Sequence, residues 1–464
     1  MKVVYILILL VVTLFGSQSY ERALKLLENQ ETKKGVNLLI KLAETGNADA
    51  QLDLYDFYNE GYYFKKNPKK AMYWIKKAAK TNSTGMALLG VKYYEKSDYR
   101  EGKKWLDKAA KLSNPVALRI LGNIYKDGVG IKQSCKTSYD YYVKAAKVGS
   151  SKSAEYIFWA YNDGNNCIKK NYKLAKKWLL KAVKLDSPSA LRVLGYSQLF
   201  KKNKFDIKYD YKQAEKNLMK SAELGDVQSM YVLANEYELG SRLKQDFDYA
   251  AKIYQVASDN GHKLAQYRLG TFYYRGVGVK KDYKKSCDMY EKSISYPGSS
   301  YNLATCYQNG EGRKKDLKLA SKYFLDAANK LHLDSQLQIA MDYHFGRAGE
   351  INYTKARSWY KKVINNYHSA PFNKHDPEKI RLMAKYNLAN LIYDGKGGAS
   401  SHNRAFKLYK EAAKGNESNA QNTLGIMYFE GHGTKVDKEK AKYWFKKSAA
   451  HGNENAKENL SRLY

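Results

Sequence analysis

Along almost the whole chain, small and apolar residues return at spacings of three and four between charged and hydroxyl-bearing ones, the periodicity of amphipathic helices. Two phrases carry this pattern. The first, of the type Lys-Ala-x-x-Trp-x-x-Lys-Ala-Ala, is clearest at Lys70–Ala79 and at Lys440–Ala449, where Ser448 replaces one alanine. The second, Leu-Gly-x-x-Tyr-x-x-Gly, stands at Leu121–Gly128, Leu269–Gly276 and Leu424–Gly431, with Ala234 and Ala304 in place of the glycine in two other copies. The first small residue of the first phrase is a convenient marker. It occurs twelve times, from Gly35 and Ala71 to Ala405 and Ala441, at intervals of mostly 36 residues. Each unit therefore predicts a helix, a Gly-rich loop and a second helix.

The residue types suit those places. Gly or Ala in the middle of the first helix and Ala in the second let two backbones approach, while Tyr, Trp and Leu fill the space between them. Gly128, Gly276 and Gly431 follow the last turn of a first helix, where a left-handed residue ends it most cheaply. Pro68, Pro115 and Pro188 stand at helix starts, where the missing N–H costs nothing. A single helix pair cannot bury its apolar face, so the units must stack. The fold class expected is all-α, a right-handed α/α superhelix of about twelve repeats with a concave inner surface, continuous over residues 20–464. Tyr20–Asn29 reads as the first helix of an irregular opening unit. Residues 453–464 read as a capping helix with Ala456 and Leu460 inward. One interval of 49 residues, from Ala356 to Ala405, places an insertion loop at 366–378, with Pro371 and Pro377, as a partner-binding excursion or a hinge.

The first residues change the picture of where the protein works. Lys2, the apolar run Val3–Leu14 and the small residues Ser17 and Ser19 form a signal-peptide profile over 1–19, with cleavage expected before Tyr20. The run is shorter than the roughly 20 residues of a spanning helix. No later segment is apolar enough to cross a bilayer, so the mature chain is expected to be periplasmic or secreted. Only 6 Pro beside 43 Tyr and 44% hydrophobic residues argue against disorder. A formal charge of +35 would ordinarily suggest nucleic acid, but export removes that partner. The anions then within reach are envelope phosphates, acidic lipids, cell-wall polymers and acidic proteins. Richness in Lys, Asn, Tyr and Ile is also what an AT-rich genome produces.

Candidate chemistry is sparse. Cys135 and Cys167 lie at nearly equivalent places one unit apart, and Cys287 and Cys306 lie in consecutive helices. Two disulfides, 135–167 and 287–306, fit an exported chain, although buried free thiols would fit the same spacings. Ser358-x-x-Lys361 has the spacing of a lactamase nucleophile and base but falls inside the repeated phrase, which explains it better. His368, His375 and Asp376 share a loop without metal-ligand spacing. No catalytic residue, metal site or cofactor is expected. One column stands out: six residues after the marker come Lys77, Lys108, Lys144, Lys181 and Lys220, with Lys41, Lys292, Lys362 and Lys447 elsewhere and Val256, Asp326 and Glu411 as exceptions. Equivalent positions of a solenoid align, so these lysines form either a basic ridge or simply a solvated face.

With both phrases and the 36-residue period in place, the chain resembles the Sel-1-like repeat family, cousins of the tetratricopeptide repeats. The resemblance spans nearly all of the mature chain. Gly102 and Ser286 depart from the marker Ala, Lys96 from the loop Gly, and Phe158 from the mid-helix Gly. It implies a solenoid adaptor that binds proteins, with exported bacterial members linked to envelope functions and host interaction, and no catalytic residues to carry over. A cysteine-rich branch associated with penicillin binding and weak lactam hydrolysis carries a Cys pair in almost every unit, against four Cys here. The function expected is an exported, non-enzymatic scaffold holding a protein partner on its concave face. The alternatives are a penicillin-recognising enzyme and a binder of anionic envelope lipid or polymer.

Overall fold

The computed structural model describes residues 18–347, 349–368 and 376–464. Nearly all of the expected signal peptide and residues 369–375 of the expected insertion loop lie outside the described residues. Among the described residues every regular element is a helix. Helix 18–28 is followed by Thr32–Glu44, Ala48–Glu60 by Pro68–Ala78, and so on to Ser418–Glu430 and Lys438–Ala450, twelve pairs with Glu454–Leu463 beyond them. The closest packing is within a pair, and each second helix of a pair also touches the next first helix inside the same unit. The chain divides into two compact units, one ending at Asp226 and one running over Val227–Tyr464, and each is described by itself.

The repeated phrases explain the packing inside a pair. In the amino-terminal unit Gly122 lies against the ring of Tyr142, which would meet an added Cβ at 3.1 Å. Gly425 meets Phe445 in the same way in the carboxy-terminal unit, at 2.7 Å. The large side chain sits four residues after the marker, a ring at Tyr142, Tyr290 and Phe445 and a leucine at Leu106 and Leu218 against Gly90 and Gly195, so one small residue makes room for one large one. Tyr142, Tyr290 and Phe445 are fully or almost fully buried as a result. Where Phe158 replaces the glycine, the space is filled from the other side, and Phe205 packs 5.7 Å from it.

The loop between the two helices is fixed by three contacts. Gly128, Gly276 and Gly431 end their helices in the left-handed conformation, at φ of 72°, 68° and 77°. The backbone then returns so that the amide of the next helix's N-cap donates to the carbonyl of the phrase tyrosine: Ser134 to Tyr125 at 2.9 Å, Asp282 to Tyr273 at 2.9 Å and Asp437 to Tyr428 at 2.8 Å. The N-cap side chain finally accepts from the third residue of its helix, as Asp282 does from Lys285 at 2.9 Å. A second glycine two residues after the first touches the preceding pair. A Cβ on Gly312 would stand 2.2 Å from the carbonyl oxygen of Tyr283, and one on Gly433 2.4 Å from that of His402, each the first residue of a second helix.

Two irregularities have local causes. Lys96, in place of the loop glycine, keeps φ at −92°, and Ser97 takes the left-handed turn instead at φ 63°. Asp98 caps the following helix at once, so this unit is short. The insertion differs from the expected loop over 366–378. Helix Pro377–Tyr393 has 17 residues where neighbouring first helices have 13, so Pro377 and Glu378 belong to a helix start capped by Asp376. Proline at the first helical position costs no hydrogen bond, which is why the extra residues on this side become helix.

Candidate functional site

The lysine column lies on the second helices, and its surroundings in the amino-terminal unit follow from the phrase itself. Three residues before Lys77, Lys108, Lys144 and Lys181 stands the phrase aromatic, one turn back on the same helical face, whereas Asn217 holds that place before Lys220. Lys77 lies 4.9 Å from the ring of Tyr73 and 5.3 Å from Trp74, Lys108 lies 4.2 Å from Trp105, and Lys144 lies 5.7 Å from Tyr141. Lys220 instead pairs with Asp186 of the preceding unit, and Lys181 is half-buried at its equivalent place. A cation over an exposed ring gains only about 0.5–1 kcal/mol, so the ammonium groups stay available to an anion. The exceptions in the carboxy-terminal unit are differently engaged: Asp326 accepts from Ser300 and pairs with Lys330, both at 2.6 Å, and Glu411 takes the buried Lys385 at 2.6 Å.

The first helices of the carboxy-terminal unit carry a feature that the sequence phrases do not announce. In three consecutive pairs the fifth residue of a first helix packs on the N-cap ring of the next: Tyr231 stacks on His262 at 4.8 Å, Tyr267 meets Tyr296 at 4.7 Å with the rings tilted by 58°, and Tyr301 stacks on His332 at 4.7 Å. The tyrosine rings are half-buried. Beneath them Glu238 accepts from Tyr254 at 2.8 Å and from Arg268 at 2.9 Å, a charge pair joining successive first helices. Burial, reinforced by Glu238, raises Tyr254 and keeps its hydroxyl a donor. The signal for the stacks is the occurrence of His262 and His332 at positions where other units place Asn or Ser caps. It becomes visible once helix starts, not helix middles, are aligned.

These histidines give the fold an acid sensitivity. His262 Nδ1 accepts from the Ala265 amide at 3.1 Å, which requires the neutral ring, and burial lowers its pKa below the ordinary 6.5. Burial, and secondarily Lys396, does the same to His344, which faces the Tyr360 hydroxyl at 3.1 Å. The unfolded chain binds protons at these sites more readily than the folded one. Stability is therefore complete above pH 6.5 and falls as pH drops through the lower folded values. Thermal melts of the full chain between pH 7.5 and about 5 should show a falling midpoint, opposed in part by Asp53, Asp56 and Asp342, whose carboxyl pKa burial raises. His262→Asn keeps a capping side chain and should remove part of that slope; an unchanged slope in that variant would sink the assignment.

The remaining candidates occupy simpler places. Cys135 is joined to Cys167 with Cα atoms 5.1 Å apart, and Cys287 to Cys306 at 6.3 Å. Ser358 and Lys361 are both exposed on helix Tyr353–Asn366. His368 lies against Tyr367, Asp376 caps a helix, and His375 lies outside the described residues. Among the described residues no group of three or more His, Cys, Asp or Glu side chains converges as metal ligands, and no helix is long and apolar enough to cross a membrane. Open crevices recur between a second helix and the following loop. One of about 560 Å³ includes Arg100, Lys103, Lys104 and Gly130, and one of about 570 Å³ includes Lys136, Lys169, Lys170 and the Cys135–Cys167 bridge.

Comparison with known proteins places this geometry. The Sel1 repeat matches eleven segments: 48–82, 85–114, 115–150, 152–187, 188–226, 227–262, 263–295, 297–330, 333–366, 382–417 and 418–453. Among solved structures, the chain is similar to c5321, a protective antigen of uropathogenic Escherichia coli with an SLR fold. The identity is 24% and the TM-score 0.55, over 92% of this chain and 89% of that one. A Sel1 repeat protein from Oxalobacter formigenes is similar at 22% identity and a TM-score of 0.51, over 70% and 90%. Among curated proteins, chitin synthase regulatory factor 3 of Schizosaccharomyces pombe is 27% identical over 225 residues, 48% of this chain. The matched region is 19% of that relative's length.

Proposed function

The chain belongs to the Sel1 repeat family, and on that premise we propose that it is an exported, non-enzymatic scaffold that holds a protein partner along the face of its first helices. The observation that carries this reading is the run of packed ring pairs at Tyr231, Tyr267 and Tyr301. Half-buried aromatic side chains held in fixed rotamers offer large contact area at little entropic cost, which is why tyrosine is enriched at interface hot spots. Three such rings in register along consecutive repeats suit an extended protein segment better than a small molecule. Export rests on Lys2, the apolar run Val3–Leu14 and the small residues before Tyr20, and an envelope or host-facing partner follows from it.

The test is site-specific photocrosslinking in the native host. Benzoylphenylalanine at Tyr231 or Tyr301 should trap the same protein, and the same probe at Lys322 on a second helix should not. Equal trapping at all three places would overturn the reading. So would covalent labelling by a tagged penicillin that is lost in Ser358→Ala, which would make the chain an enzyme.

A further inference from the structure

Two more cation columns flank the one already described. Two residues before the marker come Lys69, Arg100, Lys136, Lys173 and Lys212; nine residues after it come Lys80, Lys111, Lys147 and Lys184. At 100° per residue the three columns fall within about 80° of arc on each helix, so they share one face. Every member is exposed or half-buried. Of all these cations, only Lys220 meets a carboxylate among the described residues. Stretches 61–94 and 164–185 contain no Asp or Glu at all.

The carboxy-terminal unit supplies the control. Its second helices have the same geometry and the same phrase, yet at these positions they carry Asp248, Val256 and Asp259 in one helix, Asp326 in another, and Glu411 and Glu439 in two more. Packing therefore does not demand lysine there. Across the four second helices from Pro68 to Lys184 the three columns run without a break, Glu44 and Glu223 ending the last of them on either side, so the run is a property of the amino-terminal unit and not of the repeat.

We propose that this face binds a linear polymer carrying regularly repeated phosphate groups and no bases. Each second helix presents up to three unpaired cations, and successive helices repeat them at steps of about 10 Å, so that a chain crossing five helices meets charge over about 40 Å. Lysine is a point-charge binder of phosphate and tolerates a flexible ligand. Some of these cations, Arg100, Lys108, Lys111 and Lys136, line the crevices between helix and loop, where a thread can enter and a flat bilayer cannot; the carboxylate there, Asp107, is taken up by Lys103 at 2.6 Å. The equivalent crevice of the carboxy-terminal unit mixes Asp248 and Gln255 with Lys252 and Lys280. Nucleic acid is disfavoured because single strands rely on aromatic platforms, and here Lys77, Lys108 and Lys144 already cover the rings beside them. The ligand and the face both differ from those of the protein scaffold proposed above, so either assignment can fail alone.

The experiment measures binding of long-chain polyphosphate to the full chain across salt concentrations. Binding should weaken steeply with salt, and tripolyphosphate, too short to bridge helices, should bind at least about tenfold more weakly. The variant Lys108→Gln/Lys144→Gln/Lys181→Gln should lose about tenfold or more at low salt and reduce the slope of log K against log salt by roughly 2. The control Lys292→Gln/Lys362→Gln/Lys447→Gln should change neither. Equal losses in the two variants, equal affinity for tripolyphosphate, or tighter binding to phosphatidylglycerol vesicles or to a single-stranded oligonucleotide would each overturn the proposal. The chain-length comparison uses the unmodified protein, so a folding defect in a variant leaves a decisive result.

Discussion

Valine at Gly312 is expected to destabilise the helices around it by roughly 2–5 kcal/mol. About 1–2 kcal/mol comes from forcing a side chain into the left-handed region at φ 68°, and about 1–3 kcal/mol from displacing the backbone that the new Cβ would strike. That backbone is the carbonyl of Tyr283, 2.2 Å away, and as the first turn of a helix it has no flexible end to yield. Alanine at Gly149 separates the two contributions. That residue also has positive φ, 102°, but nothing lies within 4 Å of its added Cβ, so only the conformational cost of about 1 kcal/mol applies. Because repeat arrays are held by nearest-neighbour contacts, the loss in the Gly312 variant should be local. Hydrogen exchange should show faster opening in Tyr283–Lys292 and Leu317–Asn329 than at Ser418–Glu430. Protection lost evenly across the carboxy-terminal unit, or a Gly149→Ala cost as large, would refute the packing account.

Reduction of the two cystine bridges is expected to cost about 3–4 kcal/mol at 135–167 and about 3 kcal/mol at 287–306, from the chain entropy that 32- and 19-residue loops regain on unfolding. They should open in order. Cys135 and Cys167 are half-buried beside Lys136, Lys169 and Lys170, which draw an attacking thiolate towards them, while Cys287 and Cys306 are 1% and 3% exposed. Alkylation of the native protein under mild reductant, read by mass, should therefore mark Cys135 and Cys167 first. Protein purified from an oxidising compartment should take up no alkylating agent before reduction. Free thiols there, or modification of Cys287 and Cys306 first, would contradict the assignment.

Much of this fold is legible in the residues, because each rule acts locally and then repeats. The Leu-Gly-x-x-Tyr phrase fixes where a first helix is thin, the marker residue fixes where its partner is thin, and the glycines at 128, 276 and 431 fix where the chain turns. Helix-start prolines fall where expected as well. What local rules miss depends on two units at once. The second loop glycine looks like turn chemistry in the sequence, yet its reason is a carbonyl of the preceding pair. The stacking of His262 under Tyr231 joins residues 31 positions apart, and neither phrase contains the histidine. The extra residues before Ala405 divide between helix and connection according to the cap at Asp376, which periodicity cannot foresee. Of the candidate surface, one lysine column is readable from the marker alone. Its two companions, and the carboxylates that interrupt the same positions in the carboxy-terminal unit, emerge only when the helices are laid side by side.

The contact between Gly312 or Gly433 and the start of the preceding second helix bears on how such an array changes in length. Its two partners lie almost one period apart, so an in-frame duplication or deletion of any whole period recreates both, wherever the breakpoints fall. Extra residues placed within either helix of that span separate the partners, whereas those in the connection between a second helix and the next first helix, although inside the span, lengthen only the connection. The 49-residue interval lies on the latter side, and there the contact survives: an added Cβ at Gly397 would still stand 2.6 Å from the carbonyl oxygen of Tyr353. Heredity can thus alter the number of repeats freely, and their spacing at one junction only.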